Sequence, residues 1–161
     1  MIEIYSNVFV GDDTDAELVL KGTIDGYFIL HAAKEPFHRQ MVGYIGRGAP
    51  KDSPEYLYAR RGNRMALNMV DANNPKFFSK EMIEAGLDFL EEGYKAGKKL
   101  FVHCNRGESR SPSVAMLFVF KRILNNGATF EEAEAEIKKI YPDYAPNDGI
   151  RGHLQQYWSE Y

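Results

Sequence analysis

The sequence holds one cysteine, Cys104, and one tryptophan in 161 residues. A single thiol excludes an intramolecular disulfide and any metal cage built from several cysteines. Cys104 is therefore either a buried bystander or a working thiol. No stretch approaches the roughly 18 uninterrupted apolar residues that span a bilayer. The opening MIEIYSNVFVGDD has neither the basic start nor the apolar segment of a secretory leader. A cytoplasmic setting without a membrane segment is expected on these grounds. Charge of one sign is also lacking: 20 Lys and Arg against 23 Asp and Glu leave a net −3, and no nucleic-acid partner is expected. Internal repeats and low-complexity tracts are absent. What remains, 44% hydrophobic and 27% charged residues, is the balance of a folded globular protein. A chain of this length buries a self-sufficient core, and one domain over residues 1–161 is expected.

Hydrophobic periodicity and punctuation predict alternating elements. Residues 3–11 read as one or two short strands ending at Gly11, and Asp13 or Thr14 is placed to cap a short helix that Gly22 stops. The compact run Tyr27–His31 reads as a buried strand. Residues 32–64 are broken by glycine and proline and are read as loop with one short helix or strand. Residues 66–70 read as a strand followed by the polar loop DANNP. Ser79 then caps a helix with Ile83, Leu87, Leu90 and Tyr94 on one stripe, with Phe78 and Ile83 as a hydrophobic staple. Lys99–His103 is too apolar for an edge and reads as a central strand. Residues 111–124 form an apolar helix with Pro112 in its first turn. Thr129 and Glu132 make a capping box for a helix through Ile140, and a last helix lies near residues 150–158. Strands alternating with helices imply an α/β layer architecture, a central sheet flanked by helices. Ligands in such folds bind beyond the carboxyl ends of the strands, where the segment after His103 falls.

That segment reads His103-Cys104-Asn105-Arg106-Gly107-Glu108-Ser109-Arg110-Ser111-Pro112-Ser113. Amides of a tight loop and of a helix's first turn lack internal partners and converge on one point. The helix dipole adds positive character, so the point favours a phosphate dianion. The same array favours a thiolate at the loop's entrance, where Cys104 stands. Arg110, six residues on, carries a planar fork that can bind two phosphate oxygens at once. Gly107 permits a turn that a side chain would block. Ser111 can donate toward the sulfur.

The string His-Cys, five residues, then Arg-Ser resembles the signature loop of cysteine-dependent phosphatases. The fuller HCNRGESRSPS is similar to that of dual-specificity protein phosphatases. The resemblance implies a protein tyrosine phosphatase-like fold, with a mixed, mostly parallel sheet and a strand, phosphate loop and helix at the active site. It implies Cys104 as nucleophile, Arg110 as phosphate clamp, and Ser111 as the group easing sulfur departure. His103, Asn105, Arg106, Gly107, Glu108 and Ser109 complete the phosphate-binding loop. Neither metal nor cofactor is implied, and the expected partner is a phosphorylated protein or peptide. Ester cleavage also needs a proton donor. Asp71 starts the polar loop 33 residues before Cys104, about where the family carries its general acid; the plain alternative is an exposed turn aspartate. Asp88 competes, but it lies off the apolar stripe of its helix. APNDGIRGHL resembles the segment in which an Asn-Asp-Gly turn supports the loop, and it makes Asn147 either a holder of loop carbonyls or an ordinary helix cap.

Other histidines, His31, His38 and His153, show no metal-ligand spacing. Arg60, Arg61 and Arg64 form a small basic cluster, either a solvated turn or a patch for an acidic partner. Phe77 and Phe78 lie beside the Asp71 loop. Three other activities remain open on the sequence. A lipid or RNA phosphatase could use the same scaffold. A sulfur-transfer or arsenate-reducing enzyme also uses a cysteine in an anion loop, but no second cysteine is present to serve a reductase. A non-catalytic phosphopeptide-binding module usually lacks the nucleophile that is intact here.

Overall fold

The computed structural model describes residues 1–22 and 26–161. Its six strands are β1 Ile2–Tyr5, β2 Val8–Gly11, β3 Tyr27–His31, β4 Tyr58–Arg61, β5 Arg64–Leu67 and β6 Lys99–His103. They form one sheet in the order β1-β2-β6-β3-β5-β4. β2, β6, β3 and β5 run parallel, and β1 and β4 close the two edges antiparallel. The sheet is thus mixed and mostly parallel, with β6 flanked by two parallel neighbours. That position accounts for the apolar sequence KLFVH, because a strand covered on both faces has no polar side to present.

The period-2 alternation of β3 and β6 divides the core. Leu30, Leu100 and Val102 join the larger cluster with Leu87, Leu90, Val114 and Phe118. Those partners come from α3 Lys80–Lys95 and α4 Arg110–Phe118, the latter continuing as a wider turn over Val119–Leu124. Ile29 and Phe101 face the other way and pack with Ala16 of α1 Asp13–Lys21. Two further helices, α5 Phe130–Ile140 and α6 Asp148–Tyr157, are tied together by Arg151, which meets Glu134 at 2.7 and 2.9 Å. Arg122 fastens α4's continuation to Glu84, Asp88 and Glu91 of α3. No described helix is long and apolar enough to cross a membrane.

Caps fall close to where composition places them. Ser79 accepts from the Met82 amide, and Thr129 and Glu132 form a reciprocal box. The N-cap of α1 is Asp12, ahead of both expected caps, Asp13 and Thr14. Its carboxylate accepts from the Asp15 amide at 2.9 Å while Asp15 accepts from the Asp12 amide at 3.3 Å. The strand read over residues 66–70 starts instead at Arg64 and ends at Leu67. Pairing with β4 sets that frame, and the Asn68 amide then turns to the Leu57 carbonyl. Residues 32–64 hold more structure than expected: a wide turn Lys34–His38, the short α2 Arg39–Val42, and the β4–β5 hairpin, which turns at Gly62 with φ of +60°.

His31 and His103 sit side by side at the ends of β3 and β6, paired in register and fully buried. The His31 Nδ1 and His103 Nε2 atoms are in direct hydrogen-bond contact. Phe37 stacks on His31, and Phe101 stacks on His103. Burial brings His103 down from 6.5 to about 4, and burial chiefly also holds His31 well below its ordinary value.

Two consequences of this packing can be measured. α3 crosses the sheet closely at Gly93, where an added Cβ would lie 2.6 Å from the Phe28 ring and 2.8 Å from Leu100. Gly93→Ala should cost about 1–3 kcal/mol by overpacking, read as a lower urea midpoint with an unchanged m-value. The two neutral histidines set an acid dependence. In the unfolded chain they take up protons near pH 6.5, whereas His103 in the fold resists protonation to about 4. Stability should therefore hold above pH 6.5 and fall as pH drops from 6.5 towards 4. The slope is about 1.4 kcal/mol per pH unit for each histidine. Unfolding free energies that stay flat from pH 7 to pH 5 would show that the pair protonates freely in the folded state.

Candidate active site

β6 delivers Cys104 to the end of the sheet, where the chain turns through residues 105–109 into α4. The cysteine is buried, 1% exposed. Two neighbouring segments hold this loop from outside: the Asp13 amide donates to the Asn105 carbonyl at 3.5 Å, and the Ala145 amide to the Glu108 carbonyl at 2.8 Å. Among the described residues, no amide of residues 105–109 donates to a protein acceptor. Carbonyls facing out and amides left free are the arrangement of an anion-binding nest. Gly107 makes it sterically feasible. Its φ is +73°, and a Cβ there would lie 3.2 Å from the Gly11 backbone and from the Tyr141 hydroxyl. Tyr141 stays protonated beside the loop, since burial, with Asp143 and Cys104 adding, pushes it up to about 12. Ser111 Oγ lies 3.2 Å from Cys104 Sγ and 3.2 Å from the Gly11 carbonyl. Its one proton can go to either.

Arg110 opens α4 and is 4% exposed. Its Nη1 donates to the Met69 carbonyl at 3.0 Å, and its Nη2 to Asn105 Oδ1 at 2.8 Å. Those contacts fix the plane of the guanidinium. The buried Nε has no hydrogen-bond partner and lies 3.8 Å from Asp71 Oδ1. An orphaned buried N–H on a cation is costly unless an anion completes it. A phosphate oxygen has the chemistry to do so.

Asp71 is brought to this pocket from the loop after β5, with its side chain 41% exposed. Asn147 holds it from the other side by donating its Nδ2 to Asp71 Oδ1. Asn147 is the N-cap of α6: its Oδ1 accepts from the Ile150 amide at 3.1 Å, and its own amide donates to Ser109 Oγ at 3.0 Å. The expected grip of Asn147 on loop carbonyls is not what the structure has. Capping uses its side-chain oxygen and Asp71 takes its NH2, so the Ala145 amide holds the loop carbonyl instead. The same turn explains Gly149, where an added Cβ would lie 1.9 Å from the Ala72 carbonyl. Only a glycine lets α6 approach the Asp71 loop so closely.

The remaining sequence candidates separate from the site. Arg106 points outward and pairs with Glu108 at 3.0 Å. Asp88 lies on α3, 67% exposed, against Arg122. His38 bonds the Glu55 carbonyl and His153 bonds the Tyr161 hydroxyl. The basic cluster is largely neutralised: Arg60 pairs with Glu92 and Arg61 with Glu55, each through two contacts. Arg64 turns inward to His31. Phe77 is exposed and Phe78 is in the core. His31 has no ligand spacing in the sequence and so is not expected near the site. The usable signal was a histidine closing an apolar strand, which tertiary pairing places beside His103.

No protein-family model matches the chain. Among curated proteins, it is 33% identical over 69 residues to dual specificity protein phosphatase PHS1 of Arabidopsis thaliana, a stretch covering 43% of this chain and 7% of that protein. Over 127 residues it is 29% identical to human dual specificity protein phosphatase 16, covering 77% of this chain and 18% of that protein. The chain thus spans well under two thirds of the length of these relatives. In fold, it is similar to the solved structure of human DUSP28, with a TM-score of 0.64 at 18% identity over 99% of this chain and 93% of that one. The chain thus shares stretches of sequence with dual specificity protein phosphatases of plant and human origin, and its fold is similar to that of a solved structure of the same kind.

Proposed function

We propose that residues 1–161 form one catalytic domain that hydrolyses phosphate monoesters of proteins through a phosphocysteine intermediate. The observation that carries this reading is the convergence, at the end of β6, of a buried thiol, a loop of unspent amides and a buried guanidinium with a free N–H. In the first step, the Cys104 thiolate attacks phosphorus in line, forming the S–P bond as the P–O bond to the leaving group breaks. Arg110 and the loop amides hold the three equatorial oxygens, whose charge grows tighter contacts in the transition state. Asp71 gives its proton to the leaving oxygen. Its position beside Arg110 Nε, held there by Asn147 Nδ2, supports its nearness to the bound phosphate. In the second step, Asp71 takes a proton from water as the water oxygen attacks phosphorus. The S–P bond breaks, and Ser111 donates to the departing sulfur from 3.2 Å.

Charge work is assigned to the arginine and the amides, so no metal is required. The Arg106–Glu108 pair at the loop's rim cancels its own charge, which favours a protein substrate over a polyanionic lipid headgroup. Phosphotyrosine and the shorter phosphoserine and phosphothreonine are the proposed substrates. A cytoplasmic setting suits a lone reduced thiol.

A substrate panel of para-nitrophenyl phosphate, phosphotyrosine and phosphothreonine peptides, inositol lipids and RNA 5′-phosphates tests the reading. The wild type should turn over the first three in the presence of EDTA, and Cys104→Ser should abolish turnover with the fold intact. Asp71→Asn should slow the phosphotyrosine peptide by about 100-fold or more and para-nitrophenyl phosphate, with its better leaving group, much less. Equal slowing would remove Asp71 from the acid role. Preference for lipid or RNA would move the substrate assignment. Gly149→Ala should act on the same step from a distance, because its methyl would displace the Ala72 carbonyl and the loop bearing Asp71. Its kcat loss, roughly tenfold or more, should again be larger for the poorer leaving group. A uniform loss would point to general misfolding.

A further inference from the structure

We propose that Arg64 and His31 are positioning residues for Cys104, acting through a fixed proton order along the buried chain Arg64–His31–His103. This rests on the phosphatase reading above.

The order follows from donor chemistry. Arg64 Nε always carries hydrogen, and it lies 3.2 Å from His31 Nε2. That nitrogen must therefore present a lone pair, and the His31 proton must be on Nδ1. His31 Nδ1 touches His103 Nε2. The His103 nitrogen consequently accepts, and its own proton is on Nδ1. The Nδ1 atom of His103 has no hydrogen-bond partner. Each ring is thus a donor at one nitrogen and an acceptor at the other, and the last N–H, on His103 Nδ1, stands one residue before the nucleophile with no hydrogen-bond partner.

Packing enforces the sequence of donors. Both rings are fully buried. Phe37 lies 4.7 Å from His31, nearly parallel, and meets His103 edge-on at 4.6 Å. Phe101 covers the His103 face. Rings clamped in this way do not flip to exchange their nitrogens. An extra proton on His31 would need the lone pair that Arg64 occupies, and one on His103 would face the His31 N–H. The chain therefore remains neutral and polar in one direction. Its effect at the site is to hold the His103 ring where β6 becomes the phosphate loop, one residue before the sulfur that is to be aimed at phosphorus. Reaction geometry is sensitive to displacements of this kind. The Ala32 amide, just beyond β3, donates to the His103 carbonyl at 2.8 Å and fixes the backbone at the same point.

The test combines a spectroscopic readout with kinetics. Long-range 1H–15N correlation spectra of the histidine-labelled wild type at pH 7 should show both rings protonated at Nδ1 only. A His103 protonated at Nε2, or as an imidazolium, would overturn the proposal. His31→Phe keeps the ring volume and removes the relay. His103 should then populate both tautomers. The kcat on para-nitrophenyl phosphate should fall roughly tenfold, with KM within about threefold. Alkylation of Cys104 by iodoacetamide, which needs no turnover, should slow by a similar factor. His31→Gln supplies an oxygen to accept from Arg64 and an N–H to give to His103, and it should recover most of both losses. Unchanged kcat and alkylation in His31→Phe, or no recovery in His31→Gln, would reduce His31 to packing. A wild type inert to every phosphate ester would remove the phosphatase reading instead, while the tautomers and the alkylation rate would still decide the role of the chain.

Discussion

The organising constraint is a set of hydrogen-bond donors at the end of one buried strand that the protein itself does not satisfy. β6 is apolar because both its faces are covered, and it stops at His103 because the chain must turn there to leave its amides free. Everything around the turn restrains it from outside. Asp13 and Ala145 hold its carbonyls, Asn147 holds Ser109, and Gly11 and Tyr141 leave room only for a glycine at position 107. A loop of unpaired amides would not keep its shape without such outside contacts, since unpaired buried polar groups are costly. The fold accepts that cost, which leaves a ring of donors open toward an anion.

The buried charges follow the same logic. Arg110 is planted at the base of α4 with two of its donors spent on Met69 and Asn105, so its orientation is set before any anion arrives. Asp71 stands 3.8 Å from that cation with its side chain 41% exposed. On the opposite face of the sheet, His31 and His103 are kept neutral by burial and by the cations Arg64 and Arg110.

Much of this was legible in the sequence. KLFVHCNRGESRSPS specifies a buried strand, a loop and a helix start within fifteen residues, and each step has a local physical cause. The capping signals at Ser79 and Thr129 and the stripe of α3 are equally local. Residues 32–64 were not legible, because β4 is an edge strand whose sequence YARR carries no hydrophobic alternation. Its partner β5 therefore looked as though it began two residues later. Asn147 was legible as a cap, but its second contact, Asp71, lies 76 residues away.

Local chemistry, then, was decided by the order of residues alone: a thiol before a glycine-containing turn, an arginine at the helix start, and a serine beside it. Such features act over a few bonds, where backbone geometry and side-chain type suffice. Tertiary structure decided which distant groups meet them. It set Asp71 against Asn147, Gly149 under Ala72, and His31 against His103. These contacts depend on strand order and helix approach, which arise from the packing of the whole sheet and which no local segment of the sequence specifies.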